Sequence, residues 1–516
     1  MLPHHRRRLA GRCLFLAISL LAGCASLPSL QNRPATYAME PDAATPLGQA
    51  VTARTQQHPG KTGITPIPDG RIAFGTRMLL ARAASRSIDI QTYIWHDDAT
   101  GTLLFEEIMQ AAQRGVRVRL LLDDINTTDS LDRILAMLMH QPNIELRLYN
   151  PFVDRSTKVT GLLTDFTRLN RRMHNKSFTV DNLVTVVGGR NIADEYFEAA
   201  QEEGLVDLDV IAIGDAVHPV SAQFDLYWNS ASAYPATAIL AGVKATNSKD
   251  LEQRAQEVQA SPAAAAFAAA IRNTTEVQNL LEGKLNIEWT TAQLINDDPA
   301  KTLRPSSEAE LELLPKLQAA LGNPSASLDL ISPYFVPGDK GTEALEALAR
   351  RGVVVRVLTN SLAATDVSSV HSGYAKRRVP LLRAGVHIYE LKPDDATIKK
   401  HAKQVGSGAK SALHAKTYAT DRRVIFVGSF NLDPRSSKLN TEMGLVIDSP
   451  TLAGRLDDAF DKVFPDAAYR VTLNDSGDLR WEDGSKGKTY TADPETSWFR
   501  RMMVHIQSWL PIESLL

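Results

Sequence analysis

The chain has 516 residues, is 44% hydrophobic and 22% charged, and carries a formal net charge of −2. That is enough apolar sequence for two core-sized halves. The near-neutral balance excludes a global basic field that would draw the chain to nucleic acid, so any polyanion binding must be local.

The first residues read as a targeting segment. Arg6, Arg7, Arg8 and Arg12 make a positive start, and residues 13–22 form an apolar run too short to span a bilayer comfortably. The run ends in Leu21-Ala22-Gly23-Cys24, which resembles the lipobox of bacterial lipoproteins. Cleavage would then remove residues 1–23 and leave Cys24 as the lipidated first residue. An uncleaved anchor and a plain secretory signal are the alternatives. Removing four arginines and no acid shifts the formal charge from −2 to −6. Cys13 and Cys24 are the only cysteines, so cleavage and acylation leave no thiol for a disulfide or a zinc site.

Residues 25–68 are rich in Pro, Ser, Thr, Ala and Gln without a sustained period, and read as a tether. Beyond it the chain repeats itself. Ser87-Ile88-Asp89-Ile90 is echoed by Ser327-Leu328-Asp329-Leu330, each followed by aromatics (Tyr93 and Trp95; Tyr334 and Phe335). An amphipathic helix over 103–114 is matched by one over 344–351. Gly115 and Gly352 then each introduce a β-branched run, a helix stop before a buried strand. This order divides the chain into a first half at 69–230 and a second at 306–516, with a connector at 231–305. The connector holds an Ala-rich helical stretch at 263–270 and a strand-like stretch at 285–294. Strand–helix–strand units predict an α/β fold of two repeated α/β/α halves with mainly parallel sheets, packed around one central active site.

Each half carries the pattern H-x-K-x-x-x-x-D: His174, Lys176 and Asp181 in the first, His414, Lys416 and Asp421 in the second. After each come an apolar strand and a small-residue turn, Gly188-Gly189-Arg190-Asn191 and Gly428-Ser429-Phe430-Asn431. Asn191 and Asn431 stand at the same offset from their histidines. One such pattern is weak; two at matched positions in repeated halves are specific. On a strand, His and Lys two residues apart point to the same face, so two such strands can place two His and two Lys in one cleft. One imidazole can then attack phosphorus while the other moves the proton of the leaving or entering alcohol. The lysines and asparagines can hold the non-bridging oxygens.

These paired motifs resemble the signature of the phospholipase D superfamily, over nearly the whole chain beyond the tether. The resemblance implies a phosphohistidine intermediate, with His174 as nucleophile and His414 as general acid, and neither metal nor cofactor. It implies that Asp181 and Asp421 tie turns through backbone amides. Glu442 follows His414 by 28 residues, where the family places an acid that orients a histidine; Asp207, 33 residues after His174, is its first-half counterpart. Tyr93-Ile94-Trp95-His96-Asp97-Asp98, Leu121-Leu122-Asp123-Asp124, Gly188-Gly189-Arg190-Asn191-Ile192 and Ser429-Phe430-Asn431-Leu432-Asp433-Pro434-Arg435-Ser436 are similar to the bacterial cardiolipin synthase branch. That implies phosphatidyl transfer to phosphatidylglycerol, with phosphatidylethanolamine as donor. The alternatives are a phospholipase D using water, a nuclease or phosphodiesterase, and an inactive envelope scaffold.

His371, Tyr374 and Arg377 form a further candidate, for phosphate or head-group binding, with a surface basic cluster as the alternative. At the C-terminus, residues 497–510 place Trp498, Met502, Ile506 and Trp509 near one helical face. The face is expected to pack against the domain, with a bilayer as the alternative. The expected partners are phospholipids and a membrane reached through a lipid anchor facing the periplasm, at the outer membrane rather than the inner. No nucleic acid and no obligate protein partner are expected. Both half-sites lie in one chain, so a dimer is not required.

Overall fold

The computed structural model describes residues 27–155, 158–198, 203–261, 272–304, 312–365, 367–393, 410–510 and Glu513. Cys24, its lipobox and the stretch at 263–270 lie outside the described residues. Within them, no helix is long and apolar enough to cross a membrane.

The first half contributes β1 (Thr62–Ile67), β2 (Ser87–Thr92), β3 (Arg117–Asp123), β4 (Ile144–Tyr149), β5 (Ser177–Val180), β6 (Val184–Gly188), β7 (Glu203–Val206), β8 (Asp209–Gly214) and β9 (Ala233–Pro235). The connector adds β10 (Glu288–Thr290) and β11 (Ala292–Asn296). The second half contributes β12 (Ser327–Ile331), β13 (Val354–Asn360), β14 (His387–Leu391), β15 (Lys410–Leu413), β16 (Lys416–Thr420), β17 (Val424–Gly428) and β18 (Met443–Asp448). A C-terminal meander follows as β19 (Ala468–Leu473), β20 (Leu479–Asp483) and β21 (Lys488–Tyr490).

Among the described residues these strands build two large sheets, ordered β10-β1-β8-β6-β5-β2-β3-β4-β9 and β11-β18-β17-β16-β12-β13-β14-β19-β20-β21. The centre of one order, β8-β6-β5-β2-β3-β4, repeats as β18-β17-β16-β12-β13-β14 in the other. The α/β class and the duplication are therefore as read from the sequence, but the sheets are mixed rather than mainly parallel. Within these two sheets only β2-β3-β4 and β12-β13-β14 run parallel, and β7 pairs with β15 in parallel as a separate two-stranded ribbon joining the halves. Each motif strand turns straight back on its neighbour as a hairpin, β5 to β6 and β16 to β17, and so adds antiparallel pairs.

The helices that cover the parallel strands start and stop where the sequence signals them. Asp98 caps the helix Ala99–Gln113 by accepting the Gly101 amide. Gly115 at φ +95° and Gly352 at φ +89° end the two crossover helices in a left-handed conformation that costs glycine little.

Two stretches differ from their sequence reading. Part of the supposed tether is folded: the helix Pro46–Gln56 is capped by Thr45, and β1 lies inside the first sheet between β10 and β8. Further out, Arg33 donates to the carbonyls of Asn229, Ser230 and Ala233. A six-residue strand containing Pro66 shows too short an alternation to register as one. The connector is not a separate insertion: β10 pairs with β1 and β11 pairs with β18, so one short segment joins the edges of both sheets.

Each half has its own core, and a third cluster is shared. In it Val187, Val210, Ala212 and Val220 from the first half pack with Leu413, Ala419, Val427 and Leu445 from the second. Alternate residues of β8 serve different cores, Ile211 and Ile213 within the first half and Val210 and Ala212 in the shared cluster. This shared apolar contact fixes the halves against each other and with them the two motifs. A buried ion pair is duplicated too. Arg119 grips Asp89 at 2.7 Å and stacks over Phe224, while Arg356 grips Asp329 at 2.6 Å and stacks over Phe460.

Candidate active site

The two histidines are delivered by matched devices at the C-terminal ends of the parallel strands. Asp123, the last residue of β3, accepts the Met173 amide at 2.8 Å and the Arg172 guanidinium at 2.6 Å. Asn360, the last residue of β13, accepts the Leu413 amide at 2.9 Å and donates to its carbonyl at 3.0 Å. The residue before each histidine is thus clamped from an equivalent position in each half.

The next contacts cross between the halves. The His174 amide donates to the Thr441 carbonyl at 2.8 Å, and the His414 amide donates to the Val206 carbonyl at 2.8 Å. Thr441 and Val206 each directly precede an acid. The His174 Nδ1 therefore meets Glu442 Oε2 at 2.8 Å, and His414 Nδ1 meets Asp207 Oδ2 at 2.6 Å. Counting each acid from the histidine of its own half finds the right residues but not this crossed pairing. A carboxylate on Nδ1 fixes the ring and leaves Nε2 for chemistry.

Both imidazoles are nearly enclosed, with 10% and 15% of their side chains exposed. A tyrosine edge packs on each ring, Tyr93 on His174 and Tyr196 on His414, both at 4.9 Å. Lys176 Nζ donates to the His174 carbonyl at 2.7 Å, and Lys416 Nζ lies 2.9 Å from His414 Nδ1. Burial, reinforced by Lys176 and Lys416, pushes His174 well below its ordinary value. Burial and Lys416 lower His414 to about 4, against the pull of Asp207. Each lysine acts on the histidine of the other half, so the two motifs share one electrostatic site. Burial draws Lys176 down to about 7, opposed by Glu442 and helped by Lys416.

The two acids sit in different surroundings. Glu442 accepts hydroxyl protons from Ser429 at 2.5 Å and Ser436 at 2.9 Å, and burial pushes it up to about 7. Asp207 accepts the Leu208 amide at 2.8 Å. Burial works against its charge, yet His414, Lys416 and Arg190 hold it well below the usual carboxylate range. Gly189, which matches Ser429 in the repeat, makes room for it: a Cβ there would stand 2.4 Å from Asp207 Oδ1.

The other sequence candidates separate into groups. Asn191 and Asn431 are buried; Asn191 accepts the Ile94 amide at 3.2 Å, while its Nδ2 has no hydrogen-bond partner among the described residues. Asp181 and Asp421 face the other way. Asp181 accepts the amides of Ser85, Arg86 and Ser87, and Asp421 those of Ser325, Ala326 and Ser327. Both tie a hairpin turn to the start of the neighbouring strand and make no contact with an imidazole.

His371, Tyr374 and Arg377 are not gathered at the motifs. Tyr374 donates to Glu390 at 2.9 Å, and His371 lies 3.5 Å from Asp493 and beside Arg378. Arg377 pairs with Asp339 and Glu513. The neighbouring Arg378, not Arg377, is the buried cation of that cluster, and its partners are the acids of the second half. The candidate for phosphate or head-group binding is thus a set of polar contacts within the second half, with His371, Tyr374 and Arg378 buried.

Sequence reasoning missed Asp297. This connector residue accepts the Glu442 amide at 2.7 Å and the Leu313 amide at 2.5 Å, and pairs with Lys301 at 3.0 Å. It lies outside both repeats, so no internal symmetry marks it. Ser436 stood inside a recognised motif but had no assigned contact.

The geometry can be set beside known proteins. The family model described as "Cardiolipin synthase, PLD-like domain" matches residues 79–228 and 317–464. The chain is 44% identical to cardiolipin synthase C of Escherichia coli over 91% of its own length and 99% of that protein's. It is 25% identical to cardiolipin synthase 2 of Staphylococcus epidermidis over 77% of this chain and 67% of that one. Among solved structures, the phosphatidylserine synthase of Haemophilus influenzae shares the fold, with a TM-score of 0.57 at 14% identity. That likeness covers 90% of this chain and all of the other.

Proposed function

Because the chain belongs to the phospholipase D-like family of the cardiolipin synthases, we propose that it transfers phosphatidyl groups between phospholipids through a phosphohistidine. Cardiolipin, made from phosphatidylglycerol and a second phospholipid such as phosphatidylethanolamine, is the product assigned to it. The observation that carries this reading is the pair of enclosed histidines, each oriented by a carboxylate from the opposite half and each with its motif lysine beside it.

His174 Nε2 attacks the donor's phosphorus, the bond to the head-group oxygen breaks, and His414 gives that oxygen a proton. The hydroxyl of phosphatidylglycerol then attacks the same phosphorus, the P–N bond breaks, and His414 takes the proton back. The roles follow from the acids. Asp207 stays anionic and offsets part of the burial that lowers His414, and the anionic phosphate of a bound phospholipid adds to that pull, so His414 is the ring that carries the proton. Glu442, raised to about 7, favours it less at His174, which suits a neutral nucleophile. Lys176, Lys416 and the Asn191 amide hold the non-bridging oxygens as charge develops.

The test is incubation of detergent-solubilised protein with phosphatidylglycerol, with and without phosphatidylethanolamine, followed by mass spectrometry, with His174→Ala as control. Cardiolipin with released ethanolamine is the expected result. Phosphatidic acid alone makes the enzyme a hydrolase. No lipid turnover, with cleavage of single-stranded DNA instead, overturns the lipid reading.

The Leu21-Ala22-Gly23-Cys24 sequence supports a lipid anchor on Cys24 that holds the catalytic halves on the periplasmic side, at the outer membrane rather than the inner. Acyl labelling that Cys24→Ser abolishes, followed by membrane fractionation, tests both parts.

A further inference from the structure

The C-terminal helix Trp498–Ser508 turns its apolar face outward. Val504 is its buried residue. Trp498 is 69% exposed, Phe499 61% and Trp509 78%, and Met503, Ile506 and Leu510 are exposed beside them. These positions form one continuous helical stripe. The polar side faces the protein: Arg500 donates to the Thr365 carbonyl and Arg501 to the Thr496 carbonyl. The expectation that this stripe packs against the domain is thereby reversed. Soluble surfaces rarely keep an aromatic stripe of this kind, and two Trp with a Phe on an amphipathic helix suit a bilayer interface.

The stripe's place in the fold matters. Thr365 lies five residues after Asn360, the β13 residue that clamps Leu413 beside His414. The equivalent edge of the first half is also apolar. After β4 the chain exposes Val153, Leu163 and Phe166 before reaching Arg172 and His174, and Asn150 holds this segment by donating to the Arg168 and Arg171 carbonyls. Leu303, also exposed, sits where Arg171 donates to the Lys301 and Arg304 carbonyls. Among the described residues Arg171 has no carboxylate partner, so its charge is available to an anionic surface. Exposed apolar groups thus mark the strand ends of both halves, the ends that deliver the two histidines, and Arg171 adds a cation at the first.

We propose that the C-terminal helix, together with Val153, Leu163 and Phe166, docks the active-site edge on the surface of a phospholipid bilayer. The helix lies in the interface, with Trp498, Phe499 and Trp509 among the acyl-chain boundary. The cleft then draws its substrates from the bilayer without their leaving it. This rests on the phosphatidyltransferase reading for its purpose but not for its geometry.

The experiment uses full chain incorporated in phosphatidylglycerol/phosphatidylethanolamine vesicles, with bromine on the acyl chains of the lipid. Brominated chains are expected to quench part of the tryptophan fluorescence, and a Trp498→Phe/Trp509→Phe variant is expected to lose that part. In parallel, a Trp498→Ser/Phe499→Ser/Trp509→Ser variant is expected to turn over vesicle phospholipid at least tenfold more slowly, with unchanged turnover of a short-chain phospholipid dissolved as monomers. Absence of quenching overturns the proposal. If quenching is absent and sedimentation depends on protein concentration, the stripe is instead an interface between copies of the chain. A protein that is quenched but turns over neither lipid form keeps the docking and loses the phosphatidyltransferase reading.

Discussion

His174 and Glu442 stand 268 positions apart in the chain and 2.8 Å apart in the structure. The contact forms because the backbone around Met173 pairs with Thr441, so each half supplies the acid for the other's histidine. Neither half contains a complete histidine–carboxylate pair.

That crossing predicts the behaviour of the acids. Glu442→Gln and Asp207→Asn should each lower kcat by about 10²- to 10⁴-fold, because a neutral amide no longer stabilises the right tautomer or the imidazolium. Phosphohistidine trapping on a slow substrate separates the two. Glu442→Gln should lose the covalent intermediate with the His174 function, while Asp207→Asn should impair the proton transfers of His414. Equal loss in a variant whose circular dichroism is also altered would mean that the acids only hold the fold.

The pH profile follows from Lys176. In the free enzyme the lysine is cationic below about 7 and neutral above it. The kcat/KM for a dissolved short-chain phospholipid should therefore fall further as pH rises through about 7, beyond the decline that the proton donor His414 sets above about 4. At saturation kcat should hold to higher pH, because a bound phosphate raises the lysine's pKa. His174 is pushed well below its ordinary value, so no matching loss is expected near pH 6. Lys176→Arg should shift the alkaline limb upward, since guanidinium stays charged, at a cost in rate from its different reach. A limb unmoved in this variant would assign it to another group.

The motif aspartates should behave as structural groups. Asp181→Ala removes the acceptor of three backbone amides and places alanine at φ +53°. A loss of about 2–3 kcal/mol and a lower Tm are expected, with kcat per folded molecule little changed. Asp421→Ala, at a more open turn, should cost about 1 kcal/mol. Thermal melts beside active-site titration check this. A folded Asp181→Ala protein with a collapsed kcat would place the residue in the chemistry.

Gly189 and Ser429 occupy equivalent positions with opposite duties. Gly189→Ala drives a Cβ into the Asp207 carboxylate and should lower kcat by about 10- to 100-fold through misplacement of His414. Ser429→Ala removes a hydroxyl that Glu442 accepts at 2.5 Å. Exchanging the pair as Gly189→Ser with Ser429→Gly should not restore activity, because Asp207 and Glu442 differ in length. Full activity in Gly189→Ala would show that the glycine is only a turn residue.

The sequence by itself determined the duplicated α/β halves, the two motifs and the four acids and amides around them, because period, spacing and side-chain chemistry are local properties. The sequence assigns no role to Asp123 and Asn360; their matched clamps on the residues before the two histidines emerge only from the structure. The tertiary structure alone decided three things. It crossed the histidine–acid pairs, since a strand's partner is chosen by the shared core of Val187, Val210, Val427 and Leu445 and not by the motif. It placed β1 inside the first sheet, made the connector strands the edges of both sheets, and brought Asp297 behind Glu442, since pairing partners there lie far away in the chain. It turned the aromatic stripe of the C-terminal helix outward. A helical pattern states which residues share a face, but only the surrounding elements, here the loop at Thr365 that takes Arg500, decide which face is covered.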